Sequence, residues 1–307
     1  MLSTFLNDVL PVFAIVAIGF AAGWSKLFDT ASATAVNRFV FYFALPALVF
    51  RLISNAPVDR FEWKLLLAYL IAEIALYAIG FAIARFGFHR SRIESLLLGM
   101  STAYVNHVFF ILPVARQLFG DAAALPIVAI ITVDSIVVLA GTVLILDTAS
   151  GKGEGMSMRR LFGSFAKNPQ IIGIAAGVVA NLIGLQIGGG FEFFLQFLGE
   201  TAAPCALFAL GVILISQKDE VQFLLPIAMS GLKLILMPVV AWALIVTTFR
   251  VSPEWADPAM LVAAGPAGMM SFVLAIQYQV PVAAIARTIL ISTLASLLTL
   301  SAIIHHI

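Results

Sequence analysis

Charge is scarce in this chain: 11% of its 307 residues are Asp, Glu, Lys or Arg, against roughly a quarter in a soluble domain. Cysteine is scarcer still. The single Cys205 excludes an internal disulfide, and no Cys/His cluster has metal-ligand spacing, so no metal site is expected. The 17 basic and 16 acidic residues nearly cancel to a net charge of +1, and no long basic run occurs. A nucleic-acid partner would find no electrostatic footprint. HExxH, GxSxG and acidic metal motifs are missing, which argues against an enzyme and leaves no cofactor to expect. A missing P-loop removes an ATP-driven pump.

Apolar side chains fill the space that charge leaves. They make up 62% of the residues, more than a water-soluble fold can hide, so the solvent must be lipid. The N-terminal MLSTFLNDVLPVFAIVAIGFAAGW lacks a basic n-region and its apolar run passes Gly23, so it reads as a first span rather than a cleaved signal. A helix needs roughly 20 apolar residues to cross the hydrocarbon. Ten segments meet that demand: 4–24, 33–54, 63–86, 93–117, 123–147, 169–188, 191–216, 221–248, 257–278 and 282–305. The fold class expected is therefore an all-α integral membrane protein of ten transmembrane helices.

Proline organises the spans into two halves. Pro11 and Pro169 open spans 1 and 6, 158 residues apart, and Pro46 and Pro204 repeat that offset in spans 2 and 7. Pro113 and Pro266 match at an offset of 153 in spans 4 and 9. Residues 1–150 thus form a first five-helix repeat, 151–168 a cytoplasmic linker and 169–307 a second repeat. Because five is odd, the second repeat inserts upside down, and inverted repeats are a signature of secondary transporters. Proline frees backbone groups at membrane depth, and lipid cannot satisfy them. Paired breaks in spans 4 and 9 bring half-helix ends together, where positive N-terminal ends suit an anion. Gly265 and Gly268, flanking Pro266, permit close backbone approach.

Ionisable residues at membrane depth are functional suspects. They are Glu73 in span 3, Asp134 in span 5, Lys233 in span 8 and Arg287 in span 10. Asp134 and Arg287 lie 153 apart, and Glu73 and Lys233 160 apart, so opposite charges occupy quasi-equivalent positions. A carboxylate would take up a coupling proton while a cation attracts the anion; alternatively, each pair is a static ion pair, or Arg287 snorkels to the membrane edge. Asn106, seven residues before Pro113, offers a donor and an acceptor, and its neighbour His107 can titrate near neutral pH.

Several segments resemble the auxin efflux carrier family, which includes plant PIN carriers and bacterial malonate or malate carriers. They are FYFALPALVFRLIS, NHVFFILPVARQLFG, KNPQIIGIAAGVV, FLGETAAPCALFALGVIL, GLKLILMPVVAW and LVAAGPAGMMSFVLAIQYQV with STLASLLTL. The resemblance implies ten spans with broken, crossed spans 4 and 9 and transport of small organic anions. The substrate-binding candidates are then Asn106, His107, Pro113, Gly265, Pro266, Gly268 and Met269. Two departures bear on the substrate. Ile111-Leu112 stands where a small Gly is expected before Pro113, and Met269-Met270 makes a less polar pocket. Proton and sodium coupling both stay open, as do a homodimer and a sensor that reuses the fold.

Odd-numbered loops carry eleven Lys and Arg residues and even-numbered loops five, so the positive-inside rule puts residues 151–168 in the cytoplasm and both termini outside. The compartment expected is a bacterial inner membrane. Cysteines introduced at Ser157 and Ile307 are expected to label from opposite faces of sealed vesicles; labelling from one face would sink the inverted ten-span arrangement.

Overall fold

Apolar side chains make a chain lipid-compatible, but only internal hydrogen bonding makes its backbone so, and helices provide it. The computed structural model describes residues 10–111, 115, 118–119, 124–149, 169–216 and 223–304. These are helical almost throughout: α1 (Leu10–Trp24), α2 (Thr30–Phe39), α3 (Leu45–Ser54), α4 (Trp63–Ala82), α5 (Arg92–Ala103), α6 (Ala124–Val133), α7 (Ala140–Ala149) and α8 (Pro169–Leu182). The remainder are α9 (Gly189–Glu200), α10 (Ala202–Ser216), α11 (Leu224–Gly231), α12 (Met237–Trp242), α13 (Pro253–Ala264), α14 (Met270–Gln277) and α15 (Ala283–Ile304). The 151–168 linker and Pro113 lie outside the described residues.

Local chemistry sets several helix starts. Asp29 accepts from the Ser32 backbone N–H at 2.7 Å ahead of α2, and Ser91 accepts from that of Glu94 at 3.2 Å ahead of α5. Pro253, following Ser252, occupies the first turn of α13, where its missing donor costs nothing. Among the described residues six helical stretches are long and apolar enough to cross a membrane: Thr30–Ser54, Trp63–Gly87, Leu125–Ala149, Gly189–Ile215, Leu224–Thr248 and Ala283–Leu300. Ala14–Trp24 and Pro169–Leu182 are shorter apolar helices. Several stretches stay continuous through wide π turns, at Val40–Ala44, Ile83–Gly87, Asp134–Leu139, Leu232–Leu236 and Ala243–Thr248.

Packing sorts the helices into two bodies. In one, α1 lies along α10, α2 also meets α10, and α8 and α9 cover α3. In the other, α4 packs on α5, α11 and α13 on α15, and α12 bridges α4 and α13. We call the first the panel and the second the core. The panel helices touch at main-chain distance: a methyl group on Gly19 would strike the Phe208 carbonyl, and one on Gly211 the Val16 carbonyl. With no hydrophobic effect between helices in lipid, such close contact supplies the attraction. Gly211→Val should therefore push α1 from α10, at a cost of roughly 1–3 kcal/mol. The check is the melting temperature of the detergent-solubilised protein, which an unaffected panel would leave unchanged.

Candidate functional site

Two helical spans are interrupted in the core, and the interruptions cross. The first leaves α5 at Ala103, runs extended through Tyr104–Asn106, and resumes as a π turn at His107–Ile111. The second leaves α13 at Ala264 and resumes as α14 at Met270. Val105 and Ala267 form an antiparallel bridge. The Asn106 N–H donates to the Pro266 carbonyl at 3.0 Å, and the Gly268 N–H to the Tyr104 carbonyl at 2.9 Å.

Neighbouring side chains take up the backbone groups left over. Lys233 Nζ donates to the Ala103 carbonyl at 3.0 Å, Thr299 Oγ1 to the Ala264 carbonyl at 3.3 Å, and the Ala267 N–H donates to Ser292 Oγ at 3.1 Å. A Cβ on Gly268 would sit 2.8 Å from the Val105 oxygen, so only glycine lets the strands approach. At Gly265 the missing side chain is replaced by Ile111, whose Cδ1 would lie 2.6 Å from a Cβ there. The bulk at Ile111 thus fills a space that Gly265 opens.

Four ionisable side chains are buried beside the crossing: Glu73 of α4, His107, Asp134 and Lys233, none more than 3% exposed. His107 Nε2 lies 2.7 Å from Asp134 Oδ2, at ion-pair distance but not aligned for a hydrogen bond. Glu73 lies beside Asp134, and both carboxyls feel the Lys233 charge. The hydroxyl of Tyr69 and both carboxyls have no hydrogen-bond partner among the described residues. Buried charge must be compensated locally. Here two carboxyls face one lysine, with His107 against Asp134.

Between panel and core, against the crossing, lies a small cavity of about 40 Å³. The panel contributes apolar residues such as Leu48, Leu52 and Ala206. The core contributes Tyr104, Asn106, His107, Ser135, Met269 and Met270. Half-helix ends of both signs converge here, because α5 and α13 end at the crossing while α14 begins there.

The sequence candidates divide accordingly. Asn106, His107 and Met269 line the cavity; Gly265, Pro266 and Gly268 build the crossing; Glu73, Asp134 and Lys233 lie beside it. Two expectations need correction. An interruption falls at Tyr104–Asn106, so Asn106 sits in an extended stretch rather than within a helix two turns ahead of the break; Pro113 itself lies outside the described residues. Pairing across the crossing holds this opening. Arg287 does not meet Asp134 either: its guanidinium lies over the Phe223 ring, 5.6 Å from the centroid, while Asp134 faces His107. A residue offset reports repeat register, and side-chain direction is set by packing. Sequence reasoning passed over Tyr104, Ser135, Ser292 and Thr299. The seven-residue spacing of Ser292 and Thr299 in an apolar helix is the signal that marked the last two.

The sequence profile of a family described as "Membrane transport protein" matches residues 4–304. A Rhizobium meliloti (strain 1021) protein named "Putative malonate transporter" is 28% identical, over 97% of this chain and 94% of its own length. "Uncharacterized transporter YfdV" of Escherichia coli (strain K12) is 26% identical, over 91% of this chain and 90% of the relative. "Auxin efflux carrier component 8" of Arabidopsis thaliana is 22% identical over 43% of this chain and 38% of its own.

Lys233 is the buried group whose loss the crossing should feel most. Lys233→Met strands the Ala103 carbonyl and removes the cation beside two carboxyls, at a cost of roughly 3–5 kcal/mol. A melting temperature within a degree or two of wild type would show that the ammonium is dispensable to the fold.

Proposed function

Because this multi-pass membrane protein belongs to the membrane transport protein family of the auxin efflux carriers, we propose that it is a secondary carrier of small mono- or dicarboxylates, binding them in the cavity at the crossing. The observation that carries this reading is the placing of Asn106, His107 and Ser135 on one cavity wall, with a buried carboxyl pair behind them. Asn106 and Ser135 can donate to a carboxylate, and α14 presents its positive end to the same space. Met269 and Met270 leave part of the wall apolar, which suits an anion with a short hydrocarbon body. The name of the Rhizobium relative makes malonate the first probe.

The ten-span, inverted arrangement belongs to the same proposal. Six long helical stretches, two shorter ones and the two interrupted ones supply the spans it needs. Its two-fold logic is supported by the panel, where α1 meets α10 while α8 meets α3, the exchange an inverted repeat requires. In this arrangement 1–150 and 169–307 are the repeats, 151–168 is cytoplasmic, both termini are external and the compartment is a bacterial inner membrane.

Coupling in this reading runs through a proton that the buried cluster takes up and releases. Asp134 holds it with the help of His107 at 2.7 Å and Glu73 alongside, and the site changes charge as the carrier turns over. Asp134→Asn keeps the shape and removes the titration. In reconstituted vesicles it should retain exchange of malonate for malonate while losing accumulation driven by an imposed pH gradient. Asn106→Ala should abolish both while leaving the folded yield intact. A stable Asp134→Asn variant that still accumulates substrate with the gradient would overturn the coupling role.

A further inference from the structure

A second cavity adjoins the first on the side where α3 ends. It is an open cavity of about 360 Å³, lined by Arg51, Leu52, Asn55, Val128, Ile187 and Glu192. The two cavities share Leu52, and α6 runs along both, with Val128 on the outer one and Ile131, one turn on, on the inner. On α3 the same step separates Leu48 and Leu52, on the inner cavity, from Arg51 and Asn55, on the outer. The outer space thus adjoins the inner one as a vestibule, and Leu52 lines both.

Arg51 is the cation of that vestibule. Its Nε lies 2.6 Å from Glu192 Oε1, and Asn55 Nδ2 donates to Glu192 Oε2 at 3.3 Å. Both ends of the ion pair remain about a quarter exposed, at 27% and 26%. All three residues belong to the panel, so the pair does not tie panel to core. A guanidinium usually meets a carboxylate through a two-pronged fork. Here Glu192 takes only the Nε edge, and the terminal nitrogens carry no hydrogen bond among the described residues. The fork is left for another carboxylate.

We propose that Arg51 is an outer subsite at which a carboxylate of the substrate docks before passing Leu52 to the cavity at the crossing. The inference rests on the carrier reading above and adds to it a place and a side. The terminal nitrogens bind the incoming anion. Glu192 holds the guanidinium in place through Nε, and its negative charge weakens the docking, which keeps the anion from being trapped there. Asn55 fixes Glu192 in turn.

The test is the KM for radiolabelled malonate, measured from each face of the membrane in right-side-out and inside-out vesicles carrying wild type, Arg51→Gln, Glu192→Gln or both changes. KM does not depend on how much folded protein each preparation contains. Arg51→Gln should raise KM about three- to tenfold from the face onto which α3 ends, the loss of one partly exposed charge-assisted contact. Glu192→Gln should lower KM from that face, the double variant should follow Arg51→Gln, and the opposite face should be indifferent to all three. If Arg51→Gln and Glu192→Gln shift KM in the same direction, or equally from both faces, the pair only braces the panel and the subsite is refuted. Wild-type vesicles that take up none of malonate, malate and indole-3-acetate would instead overturn the carrier reading itself.

Discussion

Everything near the site depends on a constraint that lipid imposes: an interrupted helix exposes backbone groups, and hydrocarbon offers them no partner. The chain meets it by interrupting two spans at one place and letting each satisfy the other. Two backbone hydrogen bonds join the extended stretches, and three polar side chains take up further groups. One of those side chains is Lys233, so the crossing brings a charge with it. That charge requires neighbours, and Glu73 and Asp134 supply them. The polar site beside the cavity is thus in part a consequence of how the backbone is satisfied.

The same arrangement separates duties between the bodies. The panel is held by main-chain contact across glycines, carries no member of the buried cluster and offers the cavity an apolar wall. The core carries the crossing and the cluster. At the proposed site an anion would meet polar groups on one side only, so its contacts would change if the bodies shifted relative to each other. That asymmetry is what alternating access around a single site needs.

Much of this could be read in the residues, and the part that could not has a definite cause. Membrane class followed from composition, and the second interruption followed from Gly265 and Pro266. Asn106 and His107 were legible because polar side chains are costly in an apolar run. The exact place of the first interruption was not legible, since pairing with residues some 160 positions away sets it, and no local signal reports such a partner. The Asp134–Arg287 pairing failed for a related reason: sequence offset locates a turn of helix but not the direction of its side chains. Tyr104 and Ser135 look like ordinary span residues until the fold puts them on the cavity wall.

Three of the four ionisable residues buried beside the crossing share a further trait: His107, Asp134 and Lys233 all sit in π turns. A π turn carries one residue more than the α turn it replaces, so each reads as the trace of a single-residue insertion tolerated inside a helix. The bookkeeping of insertions and deletions then differs along the chain. Loss of one residue from an ordinary helix such as α4 rotates everything beyond it by about 100° and turns an apolar face the wrong way. Loss of one residue from Asp134–Leu139 or Leu232–Leu236 would let the ladder close into a plain α-helix and leave the flanking turns in register. In a lineage of such proteins, the chemistry of this cluster is therefore easier to erase than the fold around it.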